Sequence, residues 1–351
     1  MFSSLPFGYM FLSVMGLGTL LSVSSVHWLG IWAGLEINLI GFLPVLVYQK
    51  SISESESAVK YFIVQALGSS FLIFGSLTSF NMSFTWDMVS GTWLLGNFGF
   101  IMIMVGLYMK LGLFPFHYWL PGVMAGLPWS SCLLLATWQK LAPLFLLLCL
   151  LELSQSYLIG LIVCLASTGS SLVGGFGGIN QTQIRALLAY SSIGHLGWMV
   201  FASMHSEWVM KTYLVIYILI SFSMFLSLWY SDSGFMKHIN NLKSNSSLQL
   251  SIMLLLLSLG GLPPLLGFIS KWLVVMSTSI SPWLPFIFLL ILGSLMSLFY
   301  YLSLFFSMFL SSLKKNGIET NYTSSKSVII ISILNIFGGG LILVSGLLNF
   351  L

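Results

Sequence analysis

The sequence predicts an all-α polytopic membrane protein with about eleven transmembrane helices, and three observations carry that prediction. Of 351 residues, 58% are hydrophobic and 6% charged, where a soluble domain carries about 25% Asp, Glu, Lys and Arg. Stretches free of those four residue types run from Met1 to Leu35, Tyr61 to Trp86, Met88 to Met109 and Leu111 to Gln139, and recur to the end of the chain. Crossing a bilayer takes roughly 20 apolar residues, so each stretch holds a span. The third observation is punctuation. Gln49 to Ser57, Ser231 to Ser247 and Ser311 to Lys326 are rich in Ser, Asn and charge, which cannot face lipid unpaired and therefore form loops.

Dividing the apolar stretches at polar turns places spans at approximately 7–25, 27–48, 58–80, 92–116, 129–151, 157–178, 185–204, 208–230, 248–276, 283–310 and 327–350. The first is uninterrupted by ionisable groups, and the second carries Glu36. The third opens beside Lys60. The fourth runs into Lys110, Pro115 and Pro121, and the fifth holds Lys140 with Pro143. The seventh begins at Arg185 and contains His195. In the ninth, Gly260, Gly261, Pro263 and Pro264 precede Lys271. No stretch suggests a separate soluble domain, so residues 1–351 are expected to form one transmembrane domain.

With these spans the loops alternate sides. The side holding the N-terminus collects Lys50, Arg185, Lys237, Lys243, Lys314, Lys315 and Lys326, and the opposite side collects only Lys211. Basic residues accumulate on the side from which a protein inserts. The N-terminus is therefore expected on the matrix or cytoplasmic side and the C-terminus opposite.

Several function classes are excluded. The net charge of +4 comes from scattered residues and makes no nucleic-acid footprint. Cys132, Cys149 and Cys164 lie in apolar stretches without CxxC spacing, as expected of small buried side chains and not of zinc or iron–sulfur ligands. His27, His117, His195, His205 and His238 show no paired arrangement for a haem, so no redox centre is expected in this chain. No signal peptide or Arg-rich presequence is recognised, which fits insertion from inside the compartment that made the protein.

What the loops leave over is informative. Glu36, Lys110, Lys140 and Lys271 fall inside or beside spans, where a charge costs at least ~2.5–3.5 kcal/mol and needs a partner. Glu36 lies nine residues into its span, ~13 Å along a helix, too deep to snorkel. Lys60 sits near a boundary, where snorkelling and function are both open readings. The three deeper lysines each stand near prolines, which free backbone carbonyls at membrane depth. Broken helices with charges beside them are how transporters build ion sites. Lysine suits proton transfer because burial or a neighbouring cation brings its proton affinity toward neutrality. Glu36 and Lys110 are expected to pair, with Lys60 as the substitute partner.

LEINLIGFLPVL around Glu36, AVKYFIVQALGSS around Lys60, KLGLFPFHYWLP from Lys110, TWQKLAPL around Lys140, LLAYSSIGHLGWM around His195 and GGLPPLLGFISKW containing Lys271 closely resemble the antiporter-like subunits of respiratory NADH:ubiquinone oxidoreductase. Among these the nearest likeness is to the mitochondrially encoded subunit-2 family. The resemblance implies inverted five-helix repeats with discontinuous helices near Pro115/Pro121 and Pro263/Pro264. It also implies a proton relay of Glu36, Lys60 or Lys110, Lys140, His195 and Lys271, and a mitochondrial inner-membrane location. For His195 a hydrogen-bonded packing role remains an equal alternative. NADH, flavin, iron–sulfur clusters and ubiquinone are expected in other subunits, with membrane-arm subunits, including neighbouring antiporter-like ones, and lipid as partners. A shortened N-terminal scaffold is implied as well. Pro121-Gly122 stands where some members have Pro followed by an acid, so no carboxylate is expected there. A subunit of a multi-subunit cation/proton antiporter and a purely structural membrane subunit are the competing readings.

Overall fold

A computed structural model of the chain describes residues 7–48, 51–83, 94–153, 156–231, 246–279 and 281–313. Those residues form two compact units that divide after Ile162. The last expected span, 327–350, and the loop lysines from Lys237 to Lys326 lie outside the described residues.

The first unit contains α1 (Gly8–Ser24), α2 (Trp28–Leu46), α3 (Ile52–Ser83), α4 (Leu94–Leu111), the short α5 (Trp119–Gly126) and α6 (Trp129–Ala136), and α7 (Trp138–Leu153). α1 packs on α2, α2 on α3, and α3 along α4. α8 (Tyr157–Ile179) passes into the second unit, which continues with α9 (Ile184–Ser203), α10 (Glu207–Ser231), α11 (Ser246–Gly260), α12 (Leu266–Thr278) and α13 (Leu284–Leu313). There α10 touches α9, α11 and α12, while α13 lies against α11 and α9. No strand occurs among the described residues. Among the described residues, seven helical segments are long and apolar enough to span a membrane, and four shorter apolar helices accompany them.

The serines inside these helices are reconciled with lipid locally. Ser22 donates to the Thr19 carbonyl at 2.8 Å, Ser167 to Cys164 at 2.9 Å and Ser258 to Leu255 at 2.7 Å. Each hydroxyl is thereby satisfied within its own helix turn. Large apolar side chains such as Leu20, Ile40, Phe288 and Phe299 are instead exposed, as a lipid-facing surface requires.

The helix boundaries depart from the sequence expectation where the backbone breaks. The expected span 92–116 stops at Leu111, and a second helix, α5, resumes at Trp119. Pro121 therefore lies inside the first turn of α5, where its missing N–H is tolerated, and the break belongs to Gly112–Tyr118. The expected helix 129–151 is interrupted at Thr137, whose hydroxyl donates to the Leu133 carbonyl at 2.7 Å. Pro143 in the following helix cannot donate to the Gln139 carbonyl, so the ladder is weakened just past this interruption. Cys132 and Cys164 are buried as expected, but Cys149 is exposed. A thiol facing lipid keeps an apolar neighbourhood, so burial inside the protein was not required.

Candidate functional site: buried charges at two helix breaks

In the first unit α4 ends because Gly112 adopts φ +74°, a left-handed conformation that strains any residue with a Cβ. The N–H groups of Gly112 and Leu113 both turn back to the Tyr108 carbonyl, at 2.9 and 3.1 Å. Another carbonyl near this end, that of Met109, accepts from Trp119 Nε1 at 3.2 Å. Lys110 sits in this last turn of α4. Its Nζ lies 3.9 Å from Glu36 Oε1 on α2, with side-chain exposures of 4% and 24%. Gln65 of α3 donates to the Lys110 carbonyl at 3.4 Å. The expected pair is thus formed by Lys110. Lys60 is exposed on α3 and makes no ion pair among the described residues.

Beside the ion pair lies a neutral network that the sequence reading did not single out. Asn38 Nδ2 donates to Gln139 Oε1 at 2.9 Å, and Gln139 Nε2 donates back to Asn38 Oδ1 at 3.2 Å. Tyr61, buried between Phe42 and Trp119, directs its hydroxyl to the same Gln139 oxygen at 3.5 Å. The next residue, Lys140, is 4% exposed. The pair therefore ties the helix of Glu36 to the helix of Lys140. A polar residue inside an apolar run was the available signal for both Asn38 and Gln139, and weighing only ionisable residues passed over it.

The second unit repeats the break. Gly261 has φ +80°, and the N–H groups of Gly261 and Leu262 return to the Leu257 carbonyl at 3.1 and 3.3 Å. Lys271 on α12 folds back to this break, where its Nζ donates to the freed Gly260 carbonyl at 2.9 Å. Lys271 and His195 both line a small cavity together with Ser171, Ser191, Trp198 and Tyr301, with room for about one water molecule. His195 is 8% exposed, and its Nδ1 lies 2.9 Å from Tyr213 Oη. Tyr213 was likewise missed from sequence, because a tyrosine in a span reads as an interfacial or core residue. Among the described residues no three His, Cys, Asp or Glu side chains gather as a metal site.

The chain matches, over residues 25–299, the family described as NADH:quinone oxidoreductase/Mrp antiporter, TM. It is 39% identical over 339 residues to NADH-ubiquinone oxidoreductase chain 2 of Anopheles gambiae, covering 95% of this chain and 96% of that one. The chain 2 of Osphranter robustus is 35% identical and covered over 98% of both chains. Among solved structures, a chain of respiratory complex I from Thermus thermophilus, determined with bound Aureothin, superposes with a TM-score of 0.83 at 26% identity. The match covers 95% of this chain and 78% of that one, as expected if the relative carries additional helices. A chain of the Mrp complex from Dietzia matches with a TM-score of 0.77 at 11% identity over 96% of this chain and 75% of its own, a likeness of fold alone.

Proposed function

The chain belongs to the NADH:quinone oxidoreductase and Mrp antiporter transmembrane family, within its NADH-ubiquinone oxidoreductase chain 2 branch, and from its geometry we propose that Glu36, Lys110, Lys140, His195 and Lys271 form its proton relay. As a membrane-arm subunit of NADH:ubiquinone oxidoreductase it is a multi-pass protein of the mitochondrial inner membrane, assembled with other antiporter-like subunits. The driving force is quinone reduction elsewhere in the complex. The cofactors of that reaction, and the quinone itself, are assigned to other chains.

One observation carries the relay reading: each helix break holds a lysine bonded at it, to Glu36 in the first unit and to the Gly260 carbonyl in the second. A proton-carrying amine needs a charged or dipolar partner that it can leave and regain, and the breaks provide one of each kind. Lys140 is the buried amine between them in the sequence. Moving charge at one site shifts the proton affinity of the next. Lys60, on the exposed face of α3, joins the relay only through a group outside the described residues. The two units are taken to form one transmembrane domain, with the N-terminus on the matrix side and the C-terminus on the intermembrane-space side, as the basic loops suggest. A tag on the C-terminus labelled from the same side as Lys314 would overturn that topology.

Replacing Lys140 with Met keeps length and apolar volume but removes the amine. Assembly should survive, while proton transfer and coupled quinone reduction fall together and electron transfer to an artificial acceptor upstream of quinone persists. Lys140→Arg retains the charge but hardly deprotonates, since the arginine pKa lies above ~12. Normal pumping by the Arg variant would make Lys140 a fixed charge and end its role as a carrier.

A further inference from the structure

Lys140 stands where the backbone gives it little hold. Helix α6 before it closes at Thr137, whose N–H and hydroxyl both turn back to the Leu133 carbonyl, at 3.0 and 2.7 Å. The Lys140 N–H reaches the Thr137 carbonyl, three residues back, at 3.4 Å, a long hydrogen bond. One turn further on, Pro143 has no N–H to offer the Gln139 carbonyl. The lysine is buried all the same, so its place depends on the side chains that anchor the start of α7.

Gln139, next to the lysine, supplies such an anchor. It exchanges two hydrogen bonds with Asn38, at 2.9 and 3.2 Å, in a closed ring that uses the oxygen and one N–H of each amide. The Gln139 oxygen can only accept, so the Tyr61 hydroxyl at 3.5 Å is the donor to it. Asn38 is buried among apolar helices, where an amide without a partner is costly. On α2 it follows Glu36 by two residues, which is about 200° around a helix of 3.6 residues per turn. Glu36 accordingly turns to Lys110 on α4 while Asn38 turns to Gln139 on α7.

We propose that Asn38 and Gln139 are positioning residues of the relay, whose reciprocal amide pair fixes the height and rotation of Lys140 against the helix that bears Glu36. The proposal rests on the relay reading above and deepens it. An amide neither gains nor loses a proton near neutral pH, so the pair stays closed whichever relay group is protonated. An ion pair in the same place would weaken each time one of its members changed charge. The pair therefore carries no proton and acts through Lys140 alone. Proton transfer needs donor and acceptor within hydrogen-bond reach, directly or through one water, and a displacement of about 1 Å is enough to slow a reaction severely. A segment with a weak backbone ladder meets that requirement only if a side chain pins it.

The test separates rate from stability in the whole complex reconstituted in vesicles. Asn38→Leu/Gln139→Leu removes both amides, orphans neither and keeps similar volume, so melting should stay close to wild type. Proton transfer and NADH-driven quinone turnover, counted per assembled complex, should nevertheless fall roughly tenfold, with KM for quinone unchanged. A second series does not depend on that variant assembling. Gln139→Asn alone keeps an amide but shortens its reach by one methylene, and should slow transfer. Adding Asn38→Gln restores the combined length, and should recover the rate. Wild-type transfer in Asn38→Leu/Gln139→Leu or in Gln139→Asn overturns the positioning role, as does an exchanged pair no faster than Gln139→Asn, and each of these leaves the relay intact. Lys140→Met pumping at full rate overturns the relay reading itself.

Discussion

The two helix breaks are built from the same backbone and finished with different electrostatics. Gly112-Leu113-Phe114-Pro115 and Gly261-Leu262-Pro263-Pro264 place a left-handed glycine, a leucine and a proline at matching positions. In both, two successive N–H groups close onto one carbonyl, Tyr108 in the first and Leu257 in the second. The lysines differ. Lys110 stands two residues before its glycine, on the helix entering the break, and meets a carboxylate. Lys271 stands ten residues after its glycine, on the helix leaving the break, and meets a neutral carbonyl. The backbone device thus makes the polar opening, and which half-helix bears the lysine decides whether the opening holds an ion pair or a lone cation on a dipole. A proton can leave Lys271 without stranding a carboxylate, whereas its loss from Lys110 leaves Glu36 charged.

The largest consequence follows from removing each lysine. Lys110→Met strands the Glu36 carboxylate in low dielectric, and breaking one side of a buried pair costs about 3–5 kcal/mol. Lys271→Met leaves only the Gly260 carbonyl unpaired, worth about 1–3 kcal/mol. The purified complex should lose more thermal stability with Lys110→Met, and the double variant Glu36→Gln/Lys110→Met should recover part of that loss. Equal losses for the two lysines would mean that Glu36 is not the counter-charge of Lys110.

Next come the glycines. Placing a side chain in the left-handed region costs roughly 1–2 kcal/mol at either break, so Gly112→Ala and Gly261→Ala share that term. Their neighbours then separate them. A Cβ at 112 would meet Leu120 Cδ1 at 3.0 Å and the Trp119 ring at 3.3 Å, whereas a Cβ at 261 would meet Lys271 Nζ at 2.9 Å. Gly261→Ala should push the ammonium off the Gly260 carbonyl and reduce proton transfer more than stability. Gly112→Ala should show the reverse bias in melting and transfer assays. Similar ratios of the two losses would show that the lysine position does not govern the difference.

Much of this arrangement was legible in the sequence, for a physical reason. Lipid allows few charges and few breaks, so Glu36, Lys110, Lys140 and Lys271 stand out against apolar runs, and Pro115 and Pro263 mark the interruptions near two of them. Partner choice between Lys60 and Lys110 was not legible, because it depends on which face of α3 and of α4 turns toward α2. The interruption at Thr137 was hidden because Pro143 also fits a continuous kinked helix. Asn38, Gln139 and Tyr213 were hidden for another reason: a neutral polar side chain in a span is usually satisfied within its own turn, as many serines here are, and only packing reveals a partner on another helix.

The reciprocal amide pair gives a smaller effect confined to the first unit. Removing either Asn38 or Gln139 by substitution with Leu orphans the other amide, while removing both orphans neither. A double-mutant cycle on melting of the complex should therefore give a coupling of about 0.5–3 kcal/mol, with the double variant less damaged than the two single losses summed. Strict additivity for Asn38 and Gln139 would show that the pair does not tie α2 to α7.

The smallest expected effect uses the same two residue types in a different medium. Glu207 and Lys211 form an i,i+4 ion pair in the first turns of α10, and both side chains are 47% exposed. Water and salt screen such a pair, and exposed helix pairs contribute about 0.3–0.5 kcal/mol. Lys211→Met should shift the melting of the complex barely at all, and raising the salt concentration should erase what shift there is. Lys110→Met, by contrast, should remain damaging at high salt, because ions do not reach a side chain that is 4% exposed. The comparison isolates the environment, since a glutamate and a lysine are lost or kept in the same way at both places. A Lys211→Met loss as large as that of Lys110→Met would mean that the α10 pair is itself covered in the assembled complex, and that exposure in the isolated chain is not its working environment.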